Sequence, residues 1–376
     1  MSISHRHHYV PKWYQRRFMT EGKTSYYCLN LFPEQIKTPK GVIKKGELLI
    51  KGVDKLFYEI DLNTTKFFDI ENDDIEKYLF GDIDAKGTLA IDAMASSDWI
   101  KKIHDHILNY YEYMDAQRLR TPKGLAWVKK TLQAKDHNDV LLKMQIIRKM
   151  HCTMWLEASM EIVSAKNSPI KFIVSDNPVT LYNSSFYPES KECIFPFDPE
   201  IKLKGTRTIF PLDMNHCAIL TNLEYARNPI KAKEARTNPR YFDTTIINYN
   251  DIIRDRCLDK QQVLAINYIL KKRAHRYIAA AEKDWLYPEL YLSRKDWKGL
   301  DKVFISETKN FNLMGTGGEI FVGGKNGKLI ATQDEFGRKP KSKKEWDEKE
   351  KHAQKLNEDL MKLLAKEKFN LKNYNN

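Results

Sequence analysis

Pro169-Ile170-Lys171-Phe172-Ile173-Val174-Ser175-Asp176-Asn177-Pro178-Val179-Thr180-Leu181-Tyr182 is where the chain changes character. Two short runs of β-branched and aromatic residues flank an Asp-Asn-Pro turn signal, which reads as strand, turn, strand. Downstream, Thr208–Leu212 and His216–Leu220 read as two more strands joined by a turn at Asp213-Met214-Asn215. The region of about 170–225 is therefore expected to be a small, mostly antiparallel sheet. Upstream, the apolar period changes to three and four. Ile100, Ile103, Ile107, Tyr110, Tyr111 and Met114 give one face to a helix from Trp99 to Leu119, which Pro122 stops. Ile75, Leu79 and Ile83 mark an earlier helix within Asp69–Met94. Val140, Met144, Ile147, His151, Trp155, Ala158 and Ile162 form a seam that predicts a single helix from Asp136 to Ala165.

These readings predict an α+β fold: an antiparallel helical bundle (about 69–165) packed on the sheet, with a C-terminal hairpin and a charged tail helix. Near the N-terminus, Tyr26–Leu31 and Lys55–Ile60 read as strands. A closing helix is expected over about 259–284, opened by a capping box of Asp259 and Gln262. Glu319–Val322 and Lys328–Ala331 flank a glycine-rich turn at 323–327 and predict the hairpin. The expected division is a main domain over 1–300, the hairpin over 301–337, and a basic linker with a charged helix over 338–376.

The chain has 376 residues and a formal net charge of +13, and 42% of it is hydrophobic. That composition fits a globular protein with a full core, and the charge favours an anionic partner. Five scattered cysteines, Cys28, Cys152, Cys193, Cys217 and Cys257, form no C-x-x-C pair. They argue against a disulfide framework or a zinc ribbon and for a reducing, cytoplasmic setting. No apolar leader opens the chain, and no apolar run is long enough to span a bilayer.

The densest potential chemistry lies at the start, in His5-Arg6-His7-His8-Tyr9-Val10-Pro11-Lys12-Trp13-Tyr14-Gln15-Arg16-Arg17-Phe18. His7 or His8 would transfer a proton near neutral pH. An extended backbone turns the two to opposite sides, so one would serve a site and the other the scaffold. Lys12, Arg16 and Arg17 would neutralise phosphates. Trp13 and Tyr14 either stack on bases or, with Phe18, anchor the segment. Asp176 would orient a histidine, act as a base or hold a divalent metal ion, and Asn177 would donate to a phosphate or a carbonyl. Arg118 and Arg120 would clamp a phosphate or offset the helix dipole. His104 and His151, on apolar helix faces, read as satisfied core residues. No phosphate-binding loop, H-E-x-x-H, G-x-S-x-G or dinucleotide fingerprint is present.

The segment His7–Phe18, together with Arg118-Leu119-Arg120-Thr121-Pro122, Ser175-Asp176-Asn177-Pro178-Val179 and Pro211-Leu212, resembles the bacterial family called domain of unknown function 4238. Asn267, Ala274, Arg276 and Tyr277 add a weaker match. The resemblance covers roughly residues 5 to 285. Gln15 departs from it by standing where leucine is usual, at a position expected to be exposed. The resemblance implies no activity. It implies that these dispersed polar residues form one site from His7 or His8, Asp176, Asn177 and Arg120. With the basic charge, this leads to the expectation of a phosphodiesterase or nuclease, in a setting such as a bacterial toxin or phage defence. The alternative is a non-catalytic module that binds nucleic acid or a nucleotide. A protein partner docked on the tail helix is a third expectation, and oligomeric state is left open.

Overall fold

The computed structural model describes residues 5–38, 41–67, 70–103, 105–156, 158–203, 205–222, 252–254, 256–305, 319–323, 328–334 and 339–374. Those up to Ile305 belong to one compact unit and those from Glu319 onward to a second. The fold is α+β. His104 and residues 324–327 of the glycine-rich turn lie outside the described residues.

In the first unit, strands β1 (Arg6–His8) and β6 (Tyr58–Ile60) pair antiparallel, with His7 opposite Glu59. Helix α1 (Lys12–Arg16) follows. Two further antiparallel pairs are β3 (Glu34–Thr38) with β4 (Gly41–Lys45) and β7 (Thr65–Phe67) with β8 (Ile70–Asn72), and two four-stranded antiparallel sheets carry the remaining strands. The first has the order β10 (Val174–Ser175), β14 (Tyr277–Ala280), β2 (Tyr26–Asn30), β5 (Leu48–Lys51). The second has the order β11 (Thr180–Tyr182), β12 (Arg207–Pro211), β13 (His216–Asn222), β9 (Ala158–Ser164). The Ser175–Val179 turn thus steps the chain from one sheet to the other. Between β8 and β9 come helices α2 (Gly81–Ala95), α3 (Trp99–Ile103), α4 (Ile107–Leu119), α5 (Pro122–Thr131), α6 (His137–Ile147) and α7 (Cys152–Leu156). A long helix, α8 (Lys260–Arg273), precedes β14.

Local signals set several boundaries. Thr121 caps α5, its hydroxyl accepting from the Gly124 N–H at 3.0 Å, and Pro122 occupies the first turn. Asp136 caps α6 through the Asp139 N–H at 2.9 Å. Asp259 and Gln262 close the expected capping box on α8.

The structure corrects four expectations. The single helix over 136–165 is two helices and a strand: Lys149 takes φ 68° after α6, and Ala158–Ser164 pairs along its length with β13. Residues 160–164 are all buried, so β9 shows no alternation and its apolar run mimics a helical seam. The closing helix ends at Arg273 rather than near residue 284, and Tyr277–Ala280 becomes a strand inside the first sheet. Trp99–Leu119 is likewise broken, between Ile103 and Ile107. Gln15 is fully buried, not exposed. Its amide donates to the carbonyls of Val10 (2.7 Å) and Leu56 (3.4 Å) and accepts from the Tyr26 hydroxyl (2.7 Å).

The opening helix is an anchor. Tyr14 and Phe18 are fully buried. The Tyr14 ring stacks on Phe210 of β12 at 5.7 Å and 12°, with Tyr110 and Tyr113 of α4 each 6.2 Å from the same ring. The Tyr14 hydroxyl donates to the Pro211 carbonyl. Tyr14 is therefore unavailable to nucleic acid. On α7, the Trp155 indole donates to Thr208 at 2.9 Å and ties the helix to the second sheet.

The second unit contains the hairpin β15 (Glu319–Gly323) and β16 (Leu329–Asp334) and a helix over Lys343–Tyr374. Phe321 and His352 meet edge to face at 5.7 Å.

Where α4 meets α5 the backbones approach closely. A Cβ on Gly124 would lie 2.2 Å from the Arg118 carbonyl oxygen and 2.5 Å from that of Leu119. Gly124→Ala should therefore destabilise the first unit by about 2–3 kcal/mol despite alanine's better helix propensity. Urea denaturation followed by circular dichroism measures this, and an unchanged midpoint would contradict it.

Candidate functional site: a basic cleft at the end of α8

The turn Ala274-His275-Arg276, between α8 and β14, is shaped by residues far away in sequence. Asp176 is 1% exposed, and both of its oxygens are used. One accepts from the His275 N–H at 2.7 Å, and the other from the N–H groups of Arg276 (2.6 Å) and Tyr277 (2.7 Å). The Asp176 N–H in turn donates to the Tyr277 carbonyl at 3.0 Å. Burial pushes the Asp176 carboxyl above its usual range, while the three backbone donors pull it back down. Asn177 and Lys123 complete the grip. The Asn177 amide (3.2 Å) and the Lys123 ammonium (2.9 Å) both donate to the Arg273 carbonyl, one of the groups a helix C-terminus leaves unpaired.

This turn forms one wall of a cleft of about 610 Å³. Its basic lining is Lys123, Lys272, Arg273, His275 and Arg276; Phe32, Phe195 and Phe197 supply aromatic planes, and among the described residues no Asp or Glu lines it. Phe32 and Phe195 are 69% and 49% exposed. The His275 ring stacks on Phe195 at 4.8 Å and 25°. Lys272 and Arg276 are exposed, Lys272 having a long 3.5 Å pairing with Glu189. Behind the wall, the Asp198 carboxylate takes Lys123 at 2.8 Å and lies 3.6 Å from Arg273. Arg118 also feels its charge. Four cations thus stand around the cleft, Arg276 among them exposed, which suits a phosphate or a carboxylate group.

The residues expected to form one site are divided among three places. Asp176 and Asn177 hold the cleft turn, where Asp176 takes the backbone N–H of His275 and not its ring. His8 goes elsewhere: its Nε2 donates to the Val53 carbonyl at 3.1 Å, and burial lowers its pKa. His7 is fully buried; its Nδ1 accepts from the Asn63 N–H at 2.9 Å, and the Asn63 amide donates to Glu76 at 2.7 Å. Near it, Arg120 is 1% exposed and pairs with Asp84 at 2.8 Å and Gln117 at 2.6 Å. Gln117 donates to the Tyr9 carbonyl at 2.8 Å, which joins this network to the opening stretch. Arg118 occupies the third place. It donates to His151 Nε2 at 2.6 Å, and His151 Nδ1 donates to Asp115 at 2.7 Å. Burial, followed by the Arg118 charge, lowers the His151 pKa and holds the ring neutral. His151 is thus the satisfied core histidine expected.

Of the expected nucleic-acid-binding cations, Lys12 pairs with Asp54 and Arg17 with Asp92, and Arg16 is exposed. Among the described residues, no three His, Cys, Asp or Glu side chains are grouped as metal ligands. Sequence reasoning missed the cleft itself. A signal was present in Lys271-Lys272-Arg273-Ala274-His275-Arg276, five basic residues in six, close to Phe195-Pro196-Phe197 in space but not in sequence.

The model of the family described as "Protein of unknown function (DUF4238)" matches residues 6–284, and the chain belongs to that family. No curated protein and no solved structure matches it. Among the described residues, no helix is long and apolar enough to cross a membrane.

Two outcomes follow from this geometry. Asp176→Asn turns an N–H donor against backbone N–H groups, so it should cost about 3 kcal/mol in urea denaturation. His151 has a folded pKa below its unfolded value of about 6.5, so the unfolded chain binds the extra proton. The stability this residue contributes is complete above pH 6.5 and falls as pH drops toward the folded pKa. His151→Gln should flatten the stability profile between pH 7 and pH 5. A variant profile as steep as the parent's would contradict the assignment.

Proposed function

We propose that this member of the family binds nucleic acid or a nucleotide in the cleft at the end of α8. One observation carries the reading: exposed Lys272 and Arg276, a histidine and exposed phenylalanine planes line a single cleft with no carboxylate among its described lining residues. Cations hold phosphates, and aromatic planes stack on bases with about 1–3 kcal/mol each. The volume lies within the usual range for small-ligand sites, roughly 300–1,000 Å³. The net charge of +13 steers an anion toward the protein at long range. A phosphodiesterase built on His8 and Asp176 would need the two within hydrogen-bond reach. Both have other partners, so the reading rests on recognition at the cleft. A reducing cytoplasm is the compartment it assumes.

Fluorescence polarisation with labelled ten-nucleotide RNA and DNA single strands, and competition by mononucleotides, tests the proposal. The full chain should bind at low salt and weaken as salt rises. Lys272→Ala with Arg276→Ala should weaken binding at least about tenfold and lower the salt slope by about one to two. Equal affinity in the double variant, or no binding to any of these probes, overturns the reading.

A further inference from the structure

Of the residues lining the cleft, His275 is the one whose side chain exchanges a proton near neutral pH when unperturbed without being a thiol. Its setting differs from that of the hydrogen-bonded histidines of the first unit. His7, His8, His151 and His216 each have a ring nitrogen bonded to the protein. Among the described residues neither ring nitrogen of His275 is so bonded, yet its ring is fixed by Phe195 and its backbone by Asp176. It is therefore an oriented imidazole with both nitrogens available to a ligand, on a wall flanked by the cations Lys272 and Arg276.

The groups that act on the His275 ring come from three parts of the fold. Burial acts most strongly and disfavours its protonation, Asp176 of the β10–β11 turn favours it, and Lys123 of α5 and Arg276 of the same turn disfavour it. Burial acts with the cations, so the pKa is lowered and the ring is a neutral proton acceptor at pH 7.

We propose that the cleft cleaves single-stranded RNA, with His275 accepting the proton of the ribose 2′-hydroxyl. This rests on the binding reading above. As the 2′-oxygen attacks phosphorus, the O2′–P bond forms and the P–O5′ bond breaks. The 2′ proton passes to His275, and the Lys272 ammonium delivers a proton to the departing 5′-oxygen. The products are a 2′,3′-cyclic phosphate and a 5′-hydroxyl. His275 then releases its proton to water, and Lys272 regains one. Arg276 neutralises charge on the non-bridging phosphate oxygens. RNA is the substrate class because it carries its own nucleophile. Asp176 is a positioning residue in this scheme, acting on His275 through the backbone.

The test incubates the full chain, with chelator present, with a labelled RNA oligonucleotide and with the same strand carrying one 2′-deoxy sugar. Products are identified by mass spectrometry, and binding of each strand is measured by polarisation in parallel. The expected result is cleavage of RNA to a cyclic phosphate and a 5′-hydroxyl, with the deoxy position uncut. With each protein in excess over its own measured binding constant, His275→Ala and His275→Gln should cut the bound RNA about 10²–10⁴ times more slowly than the parent. RNA that binds but is not cut overturns this inference and leaves the binding reading standing. RNA that neither binds nor is cut removes both. Cutting at the deoxy position, or cutting that survives both His275 variants, overturns the assignment to His275 and the 2′-hydroxyl.

Discussion

One carboxylate organises the cleft. Asp176 gathers three consecutive backbone N–H groups just after α8 ends. Such hydrogen bonds to an ionised acceptor are roughly twice as strong as neutral ones. Without them the chain after Arg273 would have buried donors left unmet, at a cost comparable to a lost hydrogen bond for each. With them, the helix stops, the turn closes and Tyr277–Ala280 enters the first sheet between β10 and β2. The exposed faces of His275 and Arg276 are what this leaves on the surface.

The polar residues that recur in the resemblance to the family thus divide into parts of a frame. Asp176, Asn177 and Lys123 hold one turn. Gln117 and Arg120 brace the opening stretch, and Arg118 closes a chain through His151 to Asp115. Buried groups of this kind lose far more from a missing partner than they gain over an apolar replacement. That ties these buried residues to one another through their shared partners. The groups with free hydrogen-bonding capacity are others, on the rim that the frame presents.

Much of the fold was legible and its failures have causes. The capping box announced the start of α8, the start of α6 at Asp136 was read correctly, and turn-bounded runs announced β12 and β13, whereas α5 was missed because Pro122 was taken only as a stop. The strand β9 was hidden because both its faces are buried, which removes the period of two. Tyr277-Ile278-Ala279-Ala280 reads as helix by propensity and is a strand because Asp176, 101 residues away from Tyr277, fixes its entry. Gln15 illustrates the same blindness at one residue: glutamine among cations reads as surface until Val10, Leu56 and Tyr26 are seen around it. The Asp-Asn-Pro turn was recognised as a candidate, but its partner was assigned to the histidines that were dense in sequence. Proximity in space to His275 had no local signature.

The separation between Asp176 and the N–H groups it holds also sets an order of events. Closing a loop of about a hundred residues carries an entropic cost before any contact repays it, and such pairings form late. β14 must find β2, which lies nearer the N-terminus by some 250 residues, and β10 must find β14. The basic wall is then among the last surfaces assembled. A nascent or partly unfolded chain carries the same lysines and arginines, but on a flexible strand without the cleft. Recognition at the cleft would therefore report completed folding, and ligand occupancy would be linked to the closure of the whole first sheet rather than to the turn alone.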